Sequence, residues 1–284
     1  GNYNTALGDA ALYSNTTASE NTAVGYQAGY LNTTGYRLSA LGYLAAYSHT
    51  TGIANVALGY RAGYSNQTGN DIVAIGSDAL YHNTSSNNTA VGSGALTSNT
   101  SGTANVGLGR STFNNLTTAS YNTAVGYQAG YLNTTGNLNS SFGHQSGYAI
   151  TTGTNNSFFG QSSGNQITTG SKNTVLGAFH GNQGGLDIRT SSNHIVLSDG
   201  DGNPRFVINS NGRQQFANGN ANGHGNFVGE VGTSSKAIMF EHTVNGGETG
   251  SITTGSSSTA YNTSSDHRLK ENVDYTWDAT TRLK

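Results

Sequence analysis

Asn21-Thr-Ala-Val-Gly-Tyr-Gln-Ala-Gly-Tyr-Leu-Asn-Thr-Thr-Gly35 returns at 122–136, and the copies around it decide the fold. A glycine heads the same position at Gly8, Gly25, Gly42, Gly59, Gly76, Gly92, Gly109, Gly126, Gly143, Gly160 and Gly177. Successive glycines are 17 residues apart, except for a step of 16 from Gly76 to Gly92. A short fixed period belongs to solenoids and arrays, whose units bury their apolar sides only against their neighbours. The pattern predicts an all-β chain: a parallel β-solenoid or β-roll of about eleven 17-residue coils, each holding two short strands and two turns. At roughly 4.8 Å per coil, the rod is about 50 Å long.

The columns of the repeat suggest which side chains are inside. The residue before each glycine is large and apolar, as in Leu41, Leu58, Ile75, Val125 and Phe159. One position earlier alanine dominates (Ala23, Ala40, Ala57, Ala74, Ala90, Ala124), and it returns three after the glycine (Ala28, Ala45, Ala62, Ala129). Neighbouring residues on a strand point to opposite faces, so two adjacent apolar columns predict a strand hidden on both sides. A coil has one interior and hides one face. The large column, Val125 included, is read as that interior, and the small alanines as the face that meets identical chains around an axis. The expectation is a homotrimer.

Composition narrows the rest. The 284 residues include 41 Gly, one Pro, one Trp and no Cys, with 33% hydrophobic and 9% charged residues. Such a chain reads as disordered by composition alone, but disorder does not hold an apolar column in register through eleven copies. Net charge is −2, and five Lys/Arg balance five Asp/Glu over residues 1–189. No basic stripe offers a nucleic-acid surface, and no run is long and apolar enough to cross a bilayer. The stretch opens mid-array without a signal-peptide pattern, so the array is expected to extend upstream.

Three segments follow: a repeat shaft (1–189), a β-rich region with a Gly/Asn-rich linker (190–265), and a short terminal piece (266–284). Corners such as Asn32-Thr-Thr-Gly35 and Asn66-Gln-Thr-Gly69 suit a left-handed backbone, and their asparagines are placed to bond to copies above and below. Phe158, Phe159 and Phe179 mark a widening or capping end, and Gln183-Gly-Gly-Leu-Asp187 interrupts the corner. Beyond Ser192, strands are expected at 194–198 and 205–208 around the turn Asp199-Gly-Asp-Gly-Asn203, then near 237–244, 250–253 and 259–262. A helix is expected to start near Ser265 and Asp266.

Two resemblances add a function. The repeat resembles the heads of trimeric autotransporter adhesins and, more closely, the Asn-Thr-Ala-Val-Gly-Tyr-Gln-Ala arrays of phage tail-fibre proteins, over about two-thirds of the chain. Ala260-Tyr-Asn-Thr-Ser-Ser-Asp-His-Arg-Leu-Lys-Glu-Asn-Val273 resembles the start of the endosialidase-type intramolecular chaperone, an auto-cleaving domain at the C-termini of phage fibres and tailspikes. That resemblance implies Ser265 as nucleophile, Lys270 as base, Ser265–Asp266 as the scissile bond, and Arg268 as the motif's arginine. A lysine serves as base where burial lowers its pKa. Taken alone, Ser265 and Lys270 read as a helix N-cap and a solvated lysine; the complete motif at the end of a fibre-like chain favours the cleavage reading.

The expected function is therefore the structural, host-recognising part of a trimeric phage tail fibre, located in the virion and acting outside the host cell. Its partner would be a host-surface glycan or protein, and self-cleavage the only chemistry. Alternatives are a bacterial trimeric adhesin head and a capsule-degrading tailspike. Tyrosines form two stripes, one just after the glycine (Tyr26, Tyr43, Tyr60) and one five after it (Tyr30, Tyr47, Tyr64). They could serve as a glycan platform, although a stacked structural ladder is the favoured reading. The 199–203 segment lacks the distal acidic ligand of a calcium loop and reads as a turn. The scattered histidines suggest no metal, and no cofactor is implied.

Overall fold

The computed structural model describes residues 1–216 and the strands Asn226–Val228, Lys236–His242, Gly247–Thr254 and Thr259–Thr263. They divide into two units, Gly1–Asn211 and a second from Gly212 onward. The first is a parallel β-solenoid. Each coil contributes a three-residue strand: β1 (Thr5–Leu7), β2 (Thr22–Val24) and so on to β11 (Thr174–Leu176). Pairing is parallel and in strict register, from Ala6 opposite Ala23 to Phe158 opposite Val175. The 16-residue step keeps this register, with Ala74 opposite Ala90. The coil is shortened at its corner, where Asn83 Nδ2 donates to Ser85 O two residues on.

The second strand expected in each coil is not formed. Left-handed residues recur at fixed positions, among them Gln27, Arg37, Leu44 and Arg61 with φ of 51–59°. They bend the chain before an extended run outgrows three residues. Backbone N–H groups in these turns still reach the adjacent coil, as Leu12 N does to Ala28 O (3.0 Å) and Ala46 N to Ala62 O (2.9 Å). The heading glycine sits where coils approach most closely. Gly25 has φ +131°, and a Cβ there would lie 2.5 Å from Gly42 O, so only glycine fits the column.

The interior reverses one expectation. Ala23, Ala57, Ala74 and Ala124 in the strand centre are buried, as are Ala28, Ala45, Ala62 and Ala129. The large column before the glycine faces outward: Leu41 is 51% exposed, Leu108 37% and Leu176 53%, and Val125 is half-buried. The buried alanines share one cluster with Leu12, Leu38, Ile72, Leu80, Leu96 and Leu116 from outside the strands, which leave the strand centre room for little more than a methyl group. Alternation along the strand then turns the larger neighbour out. Two interior phenylalanines sit where glycines make room: Phe113 packs against Gly130, and Phe158 between Gly147 and Gly164. The later coils hold a second core cluster that includes Ile150, Phe158, Ile167, Val175, Phe179 and Ile188.

Buried asparagines complete the interior. Four residues before the glycine, Asn139 accepts from Asn156 N at 3.0 Å through Oδ1 and donates to Gly153 O at 2.8 Å through Nδ2. Asn21, Asn55, Asn88, Asn105 and Asn156 repeat this inter-coil pattern. The corner asparagines mostly bond within their own coil instead, Asn32 Nδ2 to Gly35 O and Asn66 Nδ2 to Gly69 O. Only Asn99, donating to Asn83 Oδ1 at 2.8 Å, shows the corner-to-corner bond expected among the described residues. Each carbonyl so bonded would otherwise be an unpaired acceptor in a closed interior, a cost of about 1–3 kcal/mol.

The array runs past residue 189. The Gln183–Asp187 interruption is a hairpin of β12 (Asn182–Gln183) and β13 (Leu186–Asp187). It is looped out of a coil that continues to β14 (Ile195–Ser198), parallel to β11 with Val175 opposite Val196. β15 (Pro204–Ile208) returns antiparallel. The turn between them is pinned by Asp199, whose Oδ1 accepts from Asp201 N (3.1 Å) and Asn203 N (2.9 Å), while Oδ2 meets Arg205. The described strands of the second unit are β16 (Gln214–Phe216) and an antiparallel meander of β17 (Asn226–Val228), β18 (Lys236–His242), β19 (Gly247–Thr254) and β20 (Thr259–Thr263). The helix expected from Ser265 lies outside the described residues. No helix is present among the described residues, and none is long and apolar enough to cross a membrane.

Ala124→Leu should lower the melting temperature, because overpacking a closed interior costs about 1–3 kcal/mol. Val125→Leu, in a column that already holds Leu108, should leave it nearly unchanged. Paired thermal melts check this, and equal effects would refute the assignment of the two columns.

Candidate functional site

The surface carries two features that repeat with the coils. The first is the outward apolar column, aliphatic except for the stacked Phe142 and Phe159, which β1 to β11 align on one face of the sheet at one residue per coil. The second is the pair of tyrosine stripes. Tyr26, Tyr43 and Tyr60 are exposed and stacked, with centroids 5.2 and 5.4 Å apart. Tyr13, Tyr30, Tyr47, Tyr64 and Tyr81 form a longer stack at 5.0–5.2 Å, in which Tyr30, Tyr47 and Tyr64 are half-buried. Parallel coils dictate this spacing, since equivalent side chains recur at the strand separation. Burial within the stack pushes the Tyr64 phenol above its ordinary pKa. The stripes are thus structural ladders that also present an aromatic surface.

Arg61 ties the stripes together. Its guanidinium lies 4.7 Å from the Tyr60 ring centre and 4.8 Å from that of Tyr81, and its Nε donates to Asp78 Oδ1 at 2.8 Å. Both stripes then stop. Ser77, Ser93 and Arg110 stand where one would continue, and Thr97 and Asn114 where the other would, until Tyr127 and Tyr131 resume them. The gap is a notch of about 410 Å³ lined by Arg61, Asp78, Tyr81, His82, Ser93, Gly94, Thr97 and Asn114. Sequence reasoning passed over these residues. The signal was present as a double break in two otherwise regular columns.

Ser265, Asp266, Arg268 and Lys270, which carry the cleavage reading, lie outside the described residues. No group of three His, Cys, Asp or Glu side chains is arranged for a metal among the described residues. One histidine is chemically distinctive all the same. His49 replaces the corner asparagine inside a coil, where its Nδ1 is 3.1 Å from Asn32 Oδ1 and its Nε2 2.8 Å from Asn55 Nδ2. Asn55 Nδ2 is a donor, so Nε2 must accept and Nδ1 carries the proton. Burial lowers the His49 pKa to about 4, and protonation would set two donors against each other at Nε2.

This linkage has a definite sign. The unfolded chain takes up a proton at the ordinary 6.5, whereas the folded chain resists until about 4. Stability is therefore complete above pH 6.5 and falls by about 3 kcal/mol as pH drops through that window. Replacing His49 with the asparagine of neighbouring coils (His49→Asn) should flatten this part of the profile. Denaturant midpoints at pH 7 and pH 4.5 check it, and an unchanged slope in His49→Asn would assign the effect elsewhere.

Comparison with protein-family models, curated proteins and solved structures finds no significant match to this chain.

Proposed function

We propose that this chain is the structural and host-recognising part of a trimeric phage tail fibre, whose C-terminal chaperone is removed by self-cleavage between Ser265 and Asp266. The observation that carries the assembly is the outward apolar column, from Leu41 through Leu108 to Leu176. An apolar stripe running the length of a rod needs a partner with apolar groups at the same pitch. A copy of the same chain has that pitch by construction. Closed rotational symmetry lets each copy cover the next, and three copies is the number the adhesin-like and fibre-like repeats imply. The phage assignment rests on the Ala260–Val273 motif, and the balanced surface charge agrees with a fibre that binds neither nucleic acid nor membrane.

The cleavage chemistry makes its own demand. A serine hydroxyl needs a neutral base, and an exposed lysine with a pKa of about 10.4 is almost wholly charged at neutral pH. Cleavage thus depends on a folded surrounding that desolvates Lys270, and an unfolded chain does not cut itself.

Sedimentation at micromolar concentration should give three times the 29.3 kDa chain mass. Leu108→Asp with Val125→Asp should give a folded monomer, because both charges face the subunit boundary and neither enters a coil. A folded wild-type monomer would overturn the assembly. In a protein carrying the complete chaperone, mass spectrometry should find the break after Ser265, and none in Ser265→Ala. A break elsewhere would refute the assignment.

A further inference from the structure

We propose that the notch between Tyr81 and Tyr131 is a binding site for a neutral oligosaccharide, which enters the interrupted aromatic stack in place of the missing tyrosines. This deepens the host-recognition reading and rests on it. Three observations converge on the notch. First, the stripe advances by one ring per coil at 5.0–5.2 Å, and Thr97 and Asn114 hold the two places where rings are missing. A flat pyranose presenting its C–H face extends such a stack from Tyr81 alongside Arg61, whose guanidinium lies 4.8 Å from that ring's centre, and His82, which packs edge-on against it.

Second, the space is made by one residue. The position two after the heading glycine carries a side chain in every neighbouring coil, including Arg61, Asp78, Ser111 and Gln128, and Gly94 alone lacks one. The backbone there does not require glycine. Gly94 has φ +68°, while Ser111 and Gln128 hold side chains at +55° and +53°. A Cβ on Gly94 would meet Ser111 Oγ, Asn114 Nδ2 and Thr97 Oγ1 at 3.4–3.6 Å, which is ordinary contact. Gly94 therefore leaves open a volume that the fold does not need open.

Third, the lining selects the ligand. The notch of about 410 Å³ is of small-ligand size, but its walls are polar, which disfavours an apolar guest. Asp78 is neutralised by Arg61 at 2.8 Å and accepts from Ser77 Oγ at 3.2 Å, so the floor presents no net charge to an anion. Asn114 Nδ2 donates to Gly94 O at 3.1 Å and Thr97 Oγ1 to Asp78 O at 3.1 Å. These bonds fix both side chains and leave Asn114 Oδ1 and the Thr97 oxygen as acceptors for hydroxyl groups. Stacking on an aromatic face beside a neutral set of hydroxyl partners fits an uncharged sugar.

The test uses the assembled fibre on an array of neutral, sialylated and sulfated oligosaccharides, with Gly94→Gln and, at an exposed tyrosine outside both stripes, Tyr121→Phe as variants. Gly94→Gln fills the notch with the side chain that Gln128 already carries in this column, and its melting temperature shows that the fold is kept. Neutral oligosaccharides should be retained by wild type and Tyr121→Phe, and bound at least about tenfold more weakly by Gly94→Gln. Absence of any neutral-glycan binding, preference for the acidic glycans, or wild-type binding by Gly94→Gln would each overturn the proposal. Host recognition is read separately on intact bacterial cells. Cell binding retained by Gly94→Gln rejects the notch and keeps recognition, while array binding without cell binding keeps the notch and rejects recognition.

Discussion

The backbone hydrogen-bond ladder that joins each coil to the next sets every other feature of the solenoid. Turn residues such as Gln27 and Leu44 send their N–H groups to Asp9 and Tyr26 one coil away rather than closing bonds within their own coil. That ladder holds equivalent residues at strand separation, so whatever one coil places at a position the next repeats alongside it. Glycines stack where no Cβ fits, asparagines stack where carbonyls need donors, and tyrosines stack because they have no other distance to adopt. It also closes the coil tightly, which limits the strand centre of the earlier coils to small residues while Leu38, Ile72, Leu80, Leu96 and Leu116 fill the rest of the interior.

Much of this was legible in the sequence. The glycine column gave the number of coils and their parallel order, and the drift at Phe158 and Phe179 falls in a second core cluster. The assignment of inside and outside failed because size was taken as a guide to burial. Burial follows from the space a coil encloses, and the strand-centre column signals this itself: Gly107 and Ser141 stand there among alanines, whereas the outward column holds only large apolar residues. The inter-coil asparagines Asn21, Asn105 and Asn139 were missed because they precede the strand and look like the start of an extended run. Their role depends on a carbonyl 14 residues on, as Asn139 bonds Gly153, and no local pattern reports that pairing. The second strand per coil was overestimated because left-handed φ at Gln27, Arg37 or Arg61 leaves no mark in residue type.

The same repetition divides the surface by purpose. A column uniform from coil to coil, like the outward apolar residues, suits contact with another uniform rod. A place where uniformity fails, like the gap after Tyr81, suits a ligand that must be told apart from its surroundings. The fibre reading uses both: a continuous seam for assembly, and a local irregularity for recognition. His49 is a third kind of exception, an interior substitution kept neutral by burial and held between Asn32 and Asn55.

The central claim is that alanine lies inside the coil while its large neighbour faces a second copy of the chain. The absence of cysteine makes thiol labelling of single-cysteine variants, Ala124→Cys and Val125→Cys, the most direct measurement. Each is assayed in the otherwise wild-type chain and in a Leu108→Asp background, whose charge is expected to separate the copies. Cysteine at 124 should stay unreactive in both states, and cysteine at 125 should react in the dissociated chain and become shielded on assembly. Rapid labelling at 124, or reactivity at 125 that is the same in both states, would contradict the account.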